Sequence, residues 1–120
     1  MSGPAAFADF LKEQMAGFGP VTVKRMFGGA GIYRDGLMFA LVADDVLYLK
    51  ADDASKAGFE AEGLGPFVYE AKGGKKAVMS YWRAPERVFD DVDEMAEWCR
   101  SAYATALKAA KAKPPAKRKR

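Results

Sequence analysis

Residues 37–50 have the sequence Leu-Met-Phe-Ala-Leu-Val-Ala-Asp-Asp-Val-Leu-Tyr-Leu-Lys, which is the clearest indication of a β-hairpin in the chain. Two apolar runs, 37–43 and 46–50, are separated by Asp44-Asp45, a pair suited to a tight hairpin turn. The first run is apolar at every position, which is typical of a strand buried on both faces. In the second run Tyr48 and Lys50 alternate with leucines, so they are expected on the opposite face of the sheet from those leucines.

Further turn signals between apolar runs lie on both sides of this hairpin. Upstream, Asp35-Gly36 marks another hairpin turn, and Gly28-Gly29 marks a bend or bulge within the first strand. Downstream, Gly73-Gly74 marks the turn of a second hairpin. The predicted strands are 22–33, 37–43, 46–50, 67–71 and 77–82.

Helical periodicity appears in three places. Apolar residues near 3.6-residue spacing predict an amphipathic helix over 5–17. A short helix is predicted within Asp52 to Glu62, capped by Asp52 or Asp53 and ended by Gly63, and a long helix is predicted to begin at Asp90 or Asp91. The order α-β-β-β-α-β-β-α indicates an α+β fold, a two-layer antiparallel sheet with helices on one face. The helices then cover only one face of strand 37–43. Its other apolar face needs a cover that the helices do not supply.

Composition predicts one domain and a tail. A chain of 120 residues with 50% apolar content suits a single domain, here 1–110. Of the 19 basic residues seven lie at or after Lys108, whereas all 16 acidic residues precede it, so the body carries a net −4 and 111–120 is expected to be a disordered basic tail. The lone Cys99 and the lack of a long apolar stretch favour a cytoplasmic protein without membrane contact.

The residue types argue against catalysis. The chain has no histidine, which excludes imidazole acid/base chemistry and histidine metal ligation. The acidic pairs fall where turns and helix caps favour aspartate, and Cys99 lies on the apolar stripe of the last helix. The cluster Gly28-Gly29-Ala30-Gly31 is followed by strand rather than by a helix, so a structural bend is favoured over a phosphate loop. We therefore expect no catalytic, metal or cofactor site.

Aromatic residues on the strands offer a candidate surface. Several of them are expected to share the sheet face that the helices leave uncovered, either as a protein interface or as a base-stacking platform. The acidic body favours the protein interface, and the uncovered face suggests a homodimer as one form of it. The strand aromatics are Tyr33, Tyr48, Tyr69, Tyr81 and Trp82, and the candidate interface residues are Tyr48, Lys50, Tyr69 and Tyr81.

The basic tail gives the alternative hypothesis. Its cations suit weak, salt-sensitive contact with a nucleic-acid backbone, although a solvated chain end explains them equally well. The candidate tail residues are Lys111, Lys113, Lys117, Arg118, Lys119 and Arg120.

A set of residues spread along 7–107 resembles the N-terminal domain of the TfoX/Sxy family of competence regulators. The signature begins with Arg25, Met26, Phe27, Gly28, Gly29, Gly31 and Tyr33. It continues with Asp35-Gly36, Phe39, 47–50, Phe59, Gly63, Pro66-Phe67, Tyr69, 79–81, Pro85-Glu86 and Trp98.

This resemblance implies an antiparallel α+β fold similar to the YjbR and secretion-chaperone-like domains. It also implies a non-enzymatic regulatory or protein-interaction role like that of transcriptional regulators of DNA uptake in bacteria. Full-length members carry a separate C-terminal domain, and this sequence contains none. The alternative is a nucleic-acid-binding accessory protein that acts through the basic tail.

Overall fold

Three helices and six strands form within residues 4–26, 29–70, 72–74 and 76–112, the part of the chain that the computed structural model describes. The helices are α1 (Pro4–Gln14), α2 (Lys56–Glu60) and α3 (Val92–Ala112). The strands are β1 (Thr22–Met26), β2 (Gly29–Arg34), β3 (Leu37–Ala43), β4 (Val46–Lys50), β5 (Pro66–Glu70) and β6 (Lys76–Arg83). Short 3-10 turns lie at Lys72–Gly74 and Glu86–Phe89.

The strands make one antiparallel sheet in the order β1-β2-β3-β4-β6-β5. The first four strands follow the chain as a meander, and the β5–β6 hairpin then joins through β6 to the free edge of β4. Helices and strands are therefore arranged as a two-layer α+β domain, which confirms the predicted class.

The prediction of one bent strand over 22–33 was wrong. The segment forms two strands, β1 and β2, that pair with Met26 opposite Gly29. Glycine is needed at position 29 because a Cβ there would overlap the carbonyl oxygen of Val42 on β3. The bulge lies between Ile32 and Tyr33 in the pairing of β2 with β3, and Gly28 lies outside the described residues.

The aspartates at the predicted hairpin turns adopt left-handed backbone conformations. Asp44 and Asp45 have φ angles of 53° and 61°, and Asp35 and Gly36 have φ angles of 52° and 80°. Two successive positive φ values fit a two-residue hairpin turn, which aspartate and glycine tolerate better than most residues. Both predicted turns are confirmed.

Aspartates also set the beginnings of helices. Asp91 Oδ1 accepts hydrogen bonds from the backbone N–H groups of Asp93 (3.0 Å) and Glu94 (3.1 Å), so α3 begins where the sequence predicts. The short helix begins later than predicted, at Lys56, because Asp52 and Ser55 close a turn before it. Asp52 N donates to Ser55 Oγ (3.0 Å), and Ser55 N donates to Asp52 Oδ1 (2.8 Å).

One core lies between the helices and the sheet. Leu47 and Leu49 of β4 point into it, and the helices supply the other side. A buried polar contact links the first helix to the second 3-10 turn, because Gln14 Nε2 donates to the Val88 carbonyl at 2.8 Å. The fully buried large side chains are Phe39, Leu11, Met15, Ile32, Leu47, Leu49, Met95, Val88 and Cys99.

Candidate partner-binding face of the sheet

A continuous row of side chains crosses the face of the sheet that lies opposite the helices, which we call the open face. Each member is the direct cross-strand partner of the next, so all point to the same side. Tyr48 fixes that side, because it alternates with the core residues Leu47 and Leu49. The row consists of Lys24 on β1, Gly31 on β2, Leu41 on β3, Tyr48 on β4 and Arg83 on β6.

A second row on the open face runs beside the first. Tyr33 of β2 lies opposite Met38 of β3, and Lys50 of β4 lies opposite Tyr81 of β6. The outer strand β5 adds Phe67, whose ring centroid lies 4.9 Å from that of Tyr48. The open face thus combines tyrosines with basic side chains.

Two lysines on this face are held over tyrosine rings. Lys24 Nζ lies 5.1 Å from the centroid of the Tyr33 ring, and Lys50 Nζ lies 5.1 Å from that of Tyr81. Lys50 Nζ also donates a hydrogen bond to Ser80 Oγ at 2.8 Å. A cation near an aromatic face is stabilised by the ring quadrupole, so both ammonium groups have preferred positions. Both ammonium groups therefore lie against aromatic rings of neighbouring strands.

The floor of the open face is buried although no core helix covers it. Leu41 and Tyr81 are each only 7% exposed, yet neither belongs to the core between helices and sheet. Burial, together with a smaller electrostatic effect of the Tyr33 phenol, raises the pKa of Tyr81 to about 12. Tyr33 and Tyr81 lie on the same face of the sheet, and β3 and β4 separate their strands.

The structure brings together three of the four candidate interface residues. Tyr48, Lys50 and Tyr81 all lie on the open face, on β4 and β6. The backbone of Tyr69 pairs with Ala77, and its side chain is outside the described part of the structure. Tyr48, Lys50 and Tyr81 therefore lie on the face of strand 37–43 that the sequence predicted to be uncovered by helices.

Other members of the open face were missed by sequence reasoning. Lys24 and Arg83 join it because Gly31 and Tyr48 are their cross-strand partners, and Arg83 requires β6 to lie beside β4. Alternation shows which residues of one strand share a face, but it does not show the order of the strands in the sheet. Trp82 lies on the other face, where it pairs with Leu49 and contacts the ring of Phe59.

Comparison with protein families shows which family the chain matches. Residues 13–106 match the TfoX N-terminal domain, which is most of the chain. The chain belongs to this family. A search of curated proteins finds no match. The match to the family establishes a competence-regulator-like domain and confirms the resemblance noted in the sequence.

The signature residues of this TfoX N-terminal domain lie mainly on β1 and β2. Arg25 and Met26 pair with Ala30 and Gly29, so the signature spans the first hairpin. Gly31 is buried between Lys24 and Leu41 in the first row of the open face. Tyr33 contributes to the second row, and Phe27 and Gly28 lie outside the described residues. The signature therefore shapes one side of the open face.

Elsewhere in the TfoX N-terminal domain three acidic side chains, Asp52, Glu62 and Glu94, have basic partners. Asp52 accepts from Ser55 and forms an ion pair with Lys108 at 3.2 Å, and these contacts lower its pKa. Arg87 forms two hydrogen bonds to Glu62, at 2.6 and 2.7 Å, and an ion pair with Glu94 at 3.1 Å. These contacts connect the end of the short helix to α3.

Cys99 is fully buried in the same core. Burial raises the pKa of its thiol to about 12, which leaves almost no thiolate at neutral pH. The thiol therefore behaves as a packed apolar group, as its position on the helix predicted.

The C-terminal region shows where the basic tail begins. Helix α3 continues to Ala112, so Lys111 is an exposed residue of its last turn, and the predicted tail begins within the helix. Lys113, Lys117, Arg118, Lys119 and Arg120 lie outside the described residues. Among the described helices, none is both long and apolar enough to cross a membrane.

Proposed function

We propose that this domain is a non-enzymatic regulatory module of the bacterial cytoplasm, and that it binds a protein partner through the open face. The observation that carries the proposal is the combination of Tyr33, Tyr48 and Tyr81 with three basic side chains on a face that none of the described helices covers. Tyrosine and arginine are enriched at protein interfaces, where the aromatic body is buried and the polar tip finds a partner.

Membership of the TfoX N-terminal domain family supports a regulatory role in the manner of competence regulators. The chemistry of the described residues supports binding rather than catalysis. The Cys99 thiol is held protonated in the core, and Asp91 and Asp52 serve as cap and turn residues. Each of these groups has a structural role that accounts for its position.

The basic tail supports a second candidate function, which is nucleic-acid contact. Lys108 forms an ion pair with Asp52, whereas Lys111 is exposed in the last turn of α3 and precedes the remaining tail cations in the sequence. Backbone phosphates attract such a segment without sequence preference and with strong salt dependence. This function would leave the open face without a role.

Affinity capture from a native bacterial lysate separates the two candidates. The full chain is compared with a full-length variant in which the six tail cations, from Lys111 to Arg120, are replaced by glutamine, with nuclease treatment in parallel. The proposal predicts that the same protein is captured under all conditions. Loss of capture on removal of the tail charges, or on nuclease treatment, would reject protein binding by the open face and favour nucleic-acid binding by the tail.

A further inference from the structure

We propose that a cluster of phenylalanine rings beside the start of α3 binds the proline-containing basic segment that follows α3 in a second copy of the chain. This inference goes beyond the proposed function, because it concerns another surface and another partner. The cluster, which we call the phenylalanine patch, consists of Phe7 and Phe10 of α1 and Phe89 of the second 3-10 turn. Its ring centroids lie 6.3 Å apart for Phe7 and Phe10, 6.3 Å for Phe7 and Phe89, and 6.1 Å for Phe10 and Phe89.

Phe10 is the most exposed ring of the phenylalanine patch. It is 38% exposed, whereas Phe7 and Phe89 are half-buried and pack against the core. Val92, three residues after Phe89, is 50% exposed at the beginning of α3. Contiguous apolar groups at a surface, bordered by polar residues, are typical of protein-binding sites. Phe10 therefore adds an apolar surface that the described core does not use.

Acidic side chains border the phenylalanine patch. Glu13 lies one helical turn after Phe10 on the same side of α1. The other three are neighbours of Phe10, Phe89 or Val92 in the chain. The four exposed acidic residues of this border are Asp9, Glu13, Asp90 and Asp93. None of the four forms an ion pair with another described residue, so a partner that covers the rings meets uncompensated negative charge around them.

The described basic side chains do not neutralise this acidic border. Lys12 is two residues after Phe10 and so points away from it on α1. Arg87 is paired with two glutamates, Glu62 and Glu94. The border therefore keeps its negative sign.

Side chains outside the described set do not change that sign either. Residues 1–5, which lead into α1, contain no charged side chain. The basic residues around the β5–β6 turn are at the far end of β6, which has eight residues and runs from Lys76 to Arg83 before the chain reaches Phe89. At about 3.3 Å per residue the two ends of β6 are roughly 23 Å apart.

The sequence after α3 has the complementary chemistry. Pro114-Pro115 stands between Lys113 and the run Lys-Arg-Lys-Arg at 117–120. Consecutive prolines favour the polyproline II helix, which aromatic surfaces bind with little loss of conformational freedom. In the proposed contact the two proline rings lie on the phenylalanine rings, and the flanking cations face the acidic border.

The geometry of α3 requires that the two partners belong to different copies. The helix has 21 residues, so at about 1.5 Å per residue its ends are roughly 30 Å apart. The phenylalanine patch adjoins its beginning, whereas Pro115 is three residues past its end at Ala112 and reaches at most about 11 Å from there. The prolines therefore cannot cover the patch of their own chain. Reciprocal exchange of the segment between two copies gives a closed two-fold dimer.

The first test is an NMR titration of an isotope-labelled full-length receptor. The receptor has glutamine at the six tail cations, so its own segment does not compete. The probe is a capped peptide with the sequence of 111–120, and its control peptide has serine in place of Pro114 and Pro115. We expect the probe to shift the amide signals of Phe10 and Asp93, with an affinity about fivefold or more above that of the serine peptide.

Matched variants of the receptor locate the contact. Phe10→Ser should abolish the shifts, whereas Leu107→Ser, which replaces an equally exposed apolar residue near the other end of α3, should retain them. The neutral pair Asp9→Asn with Glu13→Gln serves if Phe10→Ser disturbs the fold, which the spectrum itself reports. That pair should also weaken binding, because it removes two charges of the acidic border.

The second test measures association of the full chain by sedimentation equilibrium. We expect a concentration-dependent dimer that is lost both in Phe10→Ser and in the double variant Pro114→Ser with Pro115→Ser. Each of these variants retains one half of the contact, so a mixture of the two should associate again. Both keep every tail cation, which separates this contact from nucleic-acid binding by the tail.

Several results would overturn the inference. These are equal binding of the probe and the serine peptide, unchanged binding by Phe10→Ser together with the neutral pair, and shifts confined to the open face or to the acidic turns at 44–45 and 52–53. A full chain that remains monomeric up to millimolar concentration would also reject the contact between copies. All of these results would leave the proposed function of the open face in place, because they concern a different surface.

Discussion

Gly29 shows how a single residue controls the sheet. It begins β2 beside the end of β3, where an added Cβ would meet the Val42 carbonyl oxygen. The opposing group is backbone, so it cannot turn aside as a flexible side chain would. The close approach allows β2 to pair with β3 along its whole length.

Replacement of this glycine by alanine should therefore destabilise the fold. Gly29→Ala is expected to lower the free energy of unfolding by about 2 kcal/mol or more, as overpacking does. The matched control is Gly58→Ala in the short helix, where a Cβ meets nothing within 4 Å and a gain of roughly 0.5–1 kcal/mol is expected. Urea denaturation followed by circular dichroism measures both, and equal stabilities would refute the close approach at Gly29.

Tyr81 provides a residue-scale prediction about pH. Its pKa is about 12 in the folded chain because of burial, against 10.0 for an unperturbed phenol. Since the folded state binds the proton more tightly, this group stabilises the fold fully below pH 10, and the contribution is lost as pH rises to 12. The free energy of unfolding should fall by at most about 3 kcal/mol from this group.

The measurement is the free energy of unfolding between pH 9 and 12. It is made in a Cys99→Ala background, because the buried thiol also has a raised pKa. Tyr81→Phe should flatten the alkaline decline relative to that background. An identical decline in the two proteins would show that the Tyr81 phenol is not protected by the fold.

At the scale of elements, Asp91 determines where α3 begins. Its carboxylate accepts from two backbone N–H groups that have no partner within the helix. Asp91→Ala should cost about 1 kcal/mol of unfolding free energy, whereas Asp91→Asn, which keeps an acceptor, should cost less.

The neighbouring Asp90→Ala is the control for this cap. Asp90 is exposed, so its replacement should change stability by no more than about 0.5 kcal/mol. Thermal unfolding compares the three variants. If Asp90→Ala proved as costly as Asp91→Ala, the effect would reflect the loss of negative charge near the helix rather than the cap.

Elements with strong local signals could be predicted from the sequence. The turns at 35–36 and 44–45 use aspartate and glycine for positive φ angles, and the apolar stripe of α3 has a clear period. The division of 22–33 into two strands was missed, because a glycine pair is equally compatible with a bulge and with a hairpin. The pairing of β1 with β2, with Met26 opposite Gly29, shows the hairpin and is visible only in the structure.

The open face could be predicted only in part, for the same reason. Alternation around Tyr48 and Lys50 placed them away from the core, and the structure agrees. Lys24 and Arg83 belong to strands whose position depends on the order β1-β2-β3-β4-β6-β5. No local pattern in a single sequence encodes that order. The presence of Lys24 and Arg83 on the face is therefore visible only in the structure.

For the whole molecule, the distribution of charge matters more than the net charge of +3. Residues 111–120 hold a concentrated positive charge, whereas the body before Lys108 is acidic. The described side chains of the two open-face rows include three basic residues and no acidic one. The tail and the open face are thus separate regions of the sequence, and the two candidate functions assign binding to different ones.

The most direct test of the open face is site-specific photo-crosslinking in living cells. A photoreactive phenylalanine analogue replaces Tyr48 in the centre of the face or, as control, the exposed Glu97 on the outer surface of α3. We predict a protein adduct from position 48 that is resistant to nuclease, and none of the same mass from position 97. Equal adducts from both positions, or an adduct from position 97 alone, would contradict the assignment of partner binding to the open face.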